Sequence, residues 1–171
     1  MPLKIGGRVI DGPKEGILVL PRDDGDIVFR FVAITDDSDY EKINPAPKPP
    51  KVWKVKLGQT IEDVEDPVYK KKMQEWGTNK TNWVFLQSVA PTNIEWDSVK
   101  ADDPSTFENW RADLKKAGFS IGEINTIFGK FIETNMVTDE MLDEARKRFF
   151  ASQAHQQSHP PSSSTDEPTP T

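Results

Sequence analysis

Between Asn44 and Pro50 the chain reads NPAPKPP, with prolines at Pro45, Pro47, Pro49 and Pro50. Proline fixes φ, lacks an amide hydrogen and pushes the residue before it towards extended backbone. Neither a helix nor a central strand runs through such a stretch. It reads as a polyproline II spacer on the order of 20 Å long, at ~3.1 Å per residue. Sequence with strand chemistry lies before it and sequence with helix chemistry lies after it.

On the N-terminal side, GILVLPR (Gly16 to Arg22) and DIVFRFVAI (Asp26 to Ile34) are rich in β-branched and aromatic residues, and DDG between them supplies a hairpin turn. Strand side chains alternate, so Ile27, Phe29, Phe31 and Ala33 share one face while Val28, Arg30, Val32 and Ile34 share the other. Both faces are largely apolar. Such a strand is covered twice within its own fold or meets another chain on one side. KIGGRVI (Lys4 to Ile10) is a candidate third strand, and TDDSDYEKI (Thr35 to Ile43) a short acidic helical turn.

Beyond the spacer, Asp66 and Pro67 form an N-cap and first-turn pair that opens a helix carrying Tyr69, Met73, Trp76 and Trp83. GTNKTN (Gly77 to Asn82) is poor helix material and is expected to break it. NIEWDSV (Asn93 to Val99) is too short to assign. Pro104 to Ala117 places Phe107, Trp110, Leu114 and Ala117 on one stripe, with Gly118 as the C-cap glycine. The next helix begins at Ser120, paired with Glu123 in a capping box and stapled by Phe119 and Ile124; Ile121, Ile124, Ile127, Phe128, Phe131 and Ile132 make its wide apolar stripe. A last helix is capped by Thr138, runs from acidic to basic along its dipole, and permits a Glu144–Arg148 pair.

These readings give an α+β fold. A small antiparallel β module of two to four strands occupies residues 1–43, a Pro-rich linker 44–52, a helical module of three to five short helices 53–150, and a disordered tail 151–171, which has almost nothing apolar to bury. The net charge of -6 and the lack of a basic, aromatic-studded cluster argue against nucleic acid as a partner. The sequence has no cysteine, which removes disulfides, thiolate nucleophiles and Cys-based zinc sites. No apolar run approaches the ~18 residues of a membrane span and no leader pattern opens the chain, so no membrane role and a cytosolic location are expected.

The sequence carries no recognisable catalytic pattern. His155 and His159 fall in the expected tail, where no fixed partner holds an imidazole. DDGD (Asp23 to Asp26) has the look of a calcium loop but lacks the alternating ligands and the distal glutamate, and suits a hairpin turn better. Nucleotide-binding and nucleophile-elbow motifs are missing. The expectation is a protein that is not an enzyme, with no catalytic residue, cofactor or metal. Trp53, Trp76, Trp83, Trp96 and Trp110 read as core before binding surface.

The order of short motifs, from VLPRDDGDIVFRFVAI and DYEKINPAPKPP through EDPVYKKKMQEWGTNKTNWVFLQSV, IEWDSV, DPSTFENWRADLKKAGFS and EINTIF to TDEMLDEARKRFFAS, resembles that of tail assembly chaperone-like proteins of long-tailed bacteriophages. The resemblance implies a non-enzymatic role in virion assembly. Such a protein binds the tape-measure protein in the host cytoplasm, keeps it soluble, assists tail tube assembly with the tail tube protein as a second partner, and is absent from the mature virion. It supplies no residue map of the client site. An apolar groove for a client helix would be built from Phe128, Phe131 and Ile132 on the penultimate helix and Met141 and Phe149 on the last. The two alternatives are a virion structural or connector subunit that forms a homo-oligomer through its β module, and an adaptor recognised through PAPKPP.

Overall fold

The computed structural model describes residues 3–157. The chain is α+β, and it divides into two compact units, Met1–Asn135 and Met136–Thr171.

Within the first unit, β1 (Leu3–Ile5) and β2 (Arg8–Ile10) form a small hairpin closed by Gly6 and Gly7. The candidate third strand is thus a separate two-stranded ribbon and does not extend the next one. β3 (Glu15–Leu20) and β4 (Ile27–Val32) pair antiparallel, with Leu18 opposite Phe29 and Ile17 opposite Arg30. Alternation turns Leu20, Phe29 and Phe31 inward, where all are buried, and leaves Ile17, Val19 and Val28 at 53, 51 and 39% exposure on the other face. The fold thus does not cover the hairpin's second face along Ile17, Val19 and Val28.

The two edges of this hairpin differ. Along β4, Thr92 Oγ1 meets both backbone groups of Arg30, accepting from its N–H at 2.8 Å and donating to its C=O at 3.0 Å. Ser88 Oγ donates to Val32 O at 2.7 Å, and Ile34 N donates to Asn135 Oδ1 at 2.9 Å. Side chains therefore occupy positions where another strand would bind. Along β3, no described residue bonds to the outward backbone groups of Ile17 and Val19.

α1 (Ser38–Ile43) buries Tyr40 completely. Its hydroxyl donates to Trp76 O at 2.8 Å and accepts from Asn44 Nδ2 at 2.8 Å, while Trp76 Nε1 donates to Asn44 O at 2.7 Å. The spacer is pinned at its first residue by this triangle. From Pro45 to Pro50 it has no regular secondary structure, as the prolines require. It leads into a third hairpin, β5 (Lys51–Lys54) and β6 (Gln59–Glu62), with Val52 opposite Ile61. These strands replace the start of the expected helical module at residue 53. Their alternation is confined to four residues each, and Lys and Gln dilute it below recognition.

α2 (Pro67–Val89) starts as expected, with Asp66 Oδ1 accepting from Tyr69 N at 2.7 Å. The expected break at GTNKTN does not occur, because tertiary contacts outweigh propensity there. Asn82 is buried against Trp110, and Lys80 bridges to Asp37 at 2.5 Å while lying over the Trp76 ring. A short 3-10 turn (Ala90–Thr92) ends at Asn93 in the left-handed region. Pro104–Asn109 is also 3-10, and α3 (Trp110–Lys116) continues from it. α3 closes with Gly118 at φ 92°, Phe119 N donating to Leu114 O and Gly118 N to Lys115 O, both at 3.0 Å. This is the Schellman arrangement that a glycine makes affordable. α4 (Ile121–Asn135) opens with the capping box, Ser120 N to Glu123 Oε2 at 2.8 Å and Glu123 N to Ser120 Oγ at 3.2 Å.

Hairpin and helices share one core. Leu20, Phe29 and Phe31 pack with Phe85 and Val89 of α2, Trp110 and Leu114 of α3, and Ile124, Ile127 and Phe131 of α4. The expected division into a β module, 1–43, and a separate helical module, 53–150, is corrected by this cluster. A two-stranded ribbon has too little apolar area to stand alone, so it folds onto the helices. The spacer consequently sets no distance between modules. Contact is closest at Gly16, where any β-carbon would overlap Thr134 Oγ1 of α4. Tyr40, Trp83 and Phe107 form a second, smaller cluster.

The second unit contains α5 (Asp139–Gln157). Met141 N donates to Thr138 Oγ1 at 3.3 Å, and Arg148 lies 3.9 Å from Glu144. Helix continues through residues 151–157, part of the expected disordered tail, since Ala, Ser and Gln there carry no helix breaker. Residues 158–171 of that tail, with His159, lie outside the described residues.

Candidate functional site

The groove expected on α4 is closed by the protein itself. Phe131 is 1% exposed and meets Phe85 edge-on at 5.4 Å between ring centroids. Phe128 stacks on Trp110 at 5.9 Å, and Arg111 spreads its guanidinium over both rings, 4.2 Å from the Trp110 centroid and 4.8 Å from that of Phe128. Desolvation in that position lowers the Arg111 pKa. Ile132 is also packed against the core. Phe131 is therefore corrected from client site to core, and Phe128 and Ile132 are half-buried against that core; the stripe on α4 is wide because α2, α3 and the β3–β4 hairpin all pack along it. Only Ile121, at 70% exposure, is left outside.

On α5, Met141 is partly covered and Phe149 is 57% exposed. Phe149 packs edge-on against the 66% exposed Phe150 at 5.5 Å. Apolar side chains are also presented by the three hairpins, including Leu3 and Ile5 on β1, Ile17 and Val19 on β3, and Trp53 on β5. Among the tryptophans, Trp83 and Trp110 are core, Trp76 and Trp96 are half-buried, and Trp53 is 61% exposed.

A cavity of about 400 Å³ opens beside β4 in the first unit. Its walls are Ile27 and Phe29 of β4, Ile94 and Trp96 of the loop after the 3-10 turn, and Leu114 and Phe119 at the end of α3. Four charged residues, Glu95, Asp97, Asp113 and Lys116, complete the lining together with Thr92 and Ala117. Lys116 pairs with Asp97. Burial pushes the Asp113 carboxyl up, but it accepts Ser98 Oγ at 2.6 Å and the Ser98 and Asp97 amides at 2.9 Å, and these bonds hold it below its ordinary value. They also fix the loop that carries Trp96.

Sequence reasoning placed Ile27 and Phe29 on one face but missed the cavity, because NIEWDSV has no periodicity that would bring Ile94 and Trp96 to that face. Among the described residues no group of three or more His, Cys, Asp or Glu side chains could hold a metal ion, and no helix is long and apolar enough to cross a membrane. Comparison of the chain with protein-family models, with curated proteins and with solved structures finds no match.

Proposed function

We propose that the protein is a non-enzymatic tail assembly chaperone of a long-tailed bacteriophage, binding the apolar tape-measure protein in the host cytoplasm and assisting assembly of the tail tube. The observation that carries this reading is the distribution of apolar surface. A chain that has two packed clusters still leaves Leu3, Ile5, Ile17, Val19, Trp53, Phe149 and Phe150 more than half exposed. Each large apolar side chain left in water forgoes roughly 1.5–3 kcal/mol of burial, which a polypeptide partner would recover by covering it. The order of motifs given above supports a client of the tail assembly pathway, and the net charge of -6 favours a basic one. Co-expression tests the reading: the tape-measure protein should remain in the supernatant and co-purify with this chain. If it precipitates equally with and without the chain, the reading fails.

A second reading, a virion connector subunit that oligomerises through its β module, is favoured by the open edge of β3 and the apolar face of Ile17, Val19 and Val28 beside it. Presence of the protein in purified virions would select it over the chaperone.

A further inference from the structure

We infer that the cavity beside β4 is a peptide-docking site, which takes one bulky apolar side chain of an extended partner segment carrying a Lys or Arg close to that anchor. The inference rests on the reading of the protein as a polypeptide binder and names where and how the client is held. Three observations converge on it.

The first is the wall chemistry. Phe29, Trp96 and Phe119 surround about 400 Å³ of open space, within the ~300–1,000 Å³ range of ligand pockets.

The second is the strand edge above it. Arg30 turns its N–H and C=O away from β3 towards Thr92, so Val28, two residues earlier, turns its own pair the same way. No described residue bonds to them. A donor and an acceptor side by side on one extended residue are complementary to one residue of another extended chain, which exchanges both bonds with it. A small apolar molecule offers no such match. Alternation then places the partner's neighbouring side chain on the face of Ile27 and Phe29, into the cavity. Thr92 stops the pairing at Arg30, so the docked segment is short.

The third is charge. Glu95, Asp97 and Asp113 outnumber Lys116 at the lining, which selects a cation beside the anchor and disfavours an acid there.

The probe is the acetylated, amidated pentapeptide Lys-Val-Phe-Val-Lys, titrated into the nitrogen-labelled full chain and followed by NMR. The Val28 amide and the Trp96 indole N–H resonances should shift together and saturate. Ala117 lines the cavity from an exposed position, so Ala117→Trp should fill it and weaken binding about tenfold or more without lowering the melting temperature. Glu95→Lys should weaken it about threefold, and replacing both peptide lysines by glutamate should act in the same direction. Absence of shifts at Val28 and Trp96, or undiminished binding by folded Ala117→Trp, overturns the site. The same variants are then co-expressed with the tape-measure protein. If they still hold it in solution, the site is not the client's and the chaperone reading stands. If the unaltered chain does not hold it, that reading falls, and the peptide titration still decides the site.

Discussion

Trp110 donates its indole N–H to Asn82 Oδ1 at 3.0 Å, and both side chains are buried. Trp110 also stacks on Phe85 at 4.0 Å between centroids, so one residue ties α3 to α2 by a ring contact and a hydrogen bond. Asn82→Ala would leave the indole donor unsatisfied in the core, at a cost of about 1–3 kcal/mol. Urea unfolding of the variant measures this. A change of only a few tenths would show that water replaces the amide.

Phe131 should behave as core. Phe131→Ala is expected to cost about 3–5 kcal/mol, a large share of the ~5–15 kcal/mol available to a typical domain. The Phe128→Ser, Phe131→Ser pair should lose the near-ultraviolet circular dichroism of packed aromatics. Retention of that signal would return the α4 stripe to the surface.

Gly16 and Thr134 are coupled by the close approach of β3 to α4. Gly16→Ala alone should destabilise by about 1–3 kcal/mol through overpacking. Thr134→Ala removes the hydroxyl that collides with the new methyl group and leaves two neighbours, Lys130 Cε and the β-carbon of residue 134, at 3.4 Å, so the double variant should recover most of the loss. Simple additivity in thermal unfolding would contradict the contact.

The Arg22 hydrogen bond and ion pair, with the Ser120 amide, hold the Glu123 pKa at about 2, against 4.5 ordinarily. A depressed carboxyl binds fewer protons in the folded state than in the unfolded one, so its stabilisation is complete above pH 4.5 and is lost as pH falls towards 2. Glu123→Gln should therefore lower stability at neutral pH and flatten the acid limb of the stability profile. Denaturant titrations across that window would detect the difference, and parallel profiles would remove the pair from the account.

The β5–β6 ribbon contributes no residue to either cluster. Replacing Lys51–Glu62 by a short Gly-Ser loop should leave the melting temperature within a few degrees, because α2 keeps its Asp66 cap and Asn44 its bond to Trp76. A collapse of cooperativity would mean the ribbon is structural.

What could be read from the sequence was local. The Ser120–Glu123 box, the Asp66 and Thr138 caps, Gly118 and the β3–β4 alternation are decided by residues within a few positions of one another, and each was placed correctly. The continuity of α2 depends on Trp110, distant in sequence, and α2 is buried on more than one side near its end, by Trp83 towards one cluster and Phe85 towards the other, so no single stripe announced it. The same limit explains the misplaced site: a stripe on α4 has identical spacing whether water or Phe85 faces it. Nothing local marks Trp96 as a cavity wall, since the Asp113 bonds that position its loop span the gap to α3.

The hydroxyl of Thr92 has a further effect on any assembly this protein enters. With Arg30 already engaged, the β4 flank admits no more than a short segment at Val28, and only the β3 flank, at Ile17 and Val19, is free to take a strand along its length. Two copies meeting at β3 would present a Thr92-blocked strand at each outer limit, so the union would terminate at a closed pair and could not propagate into a fibre.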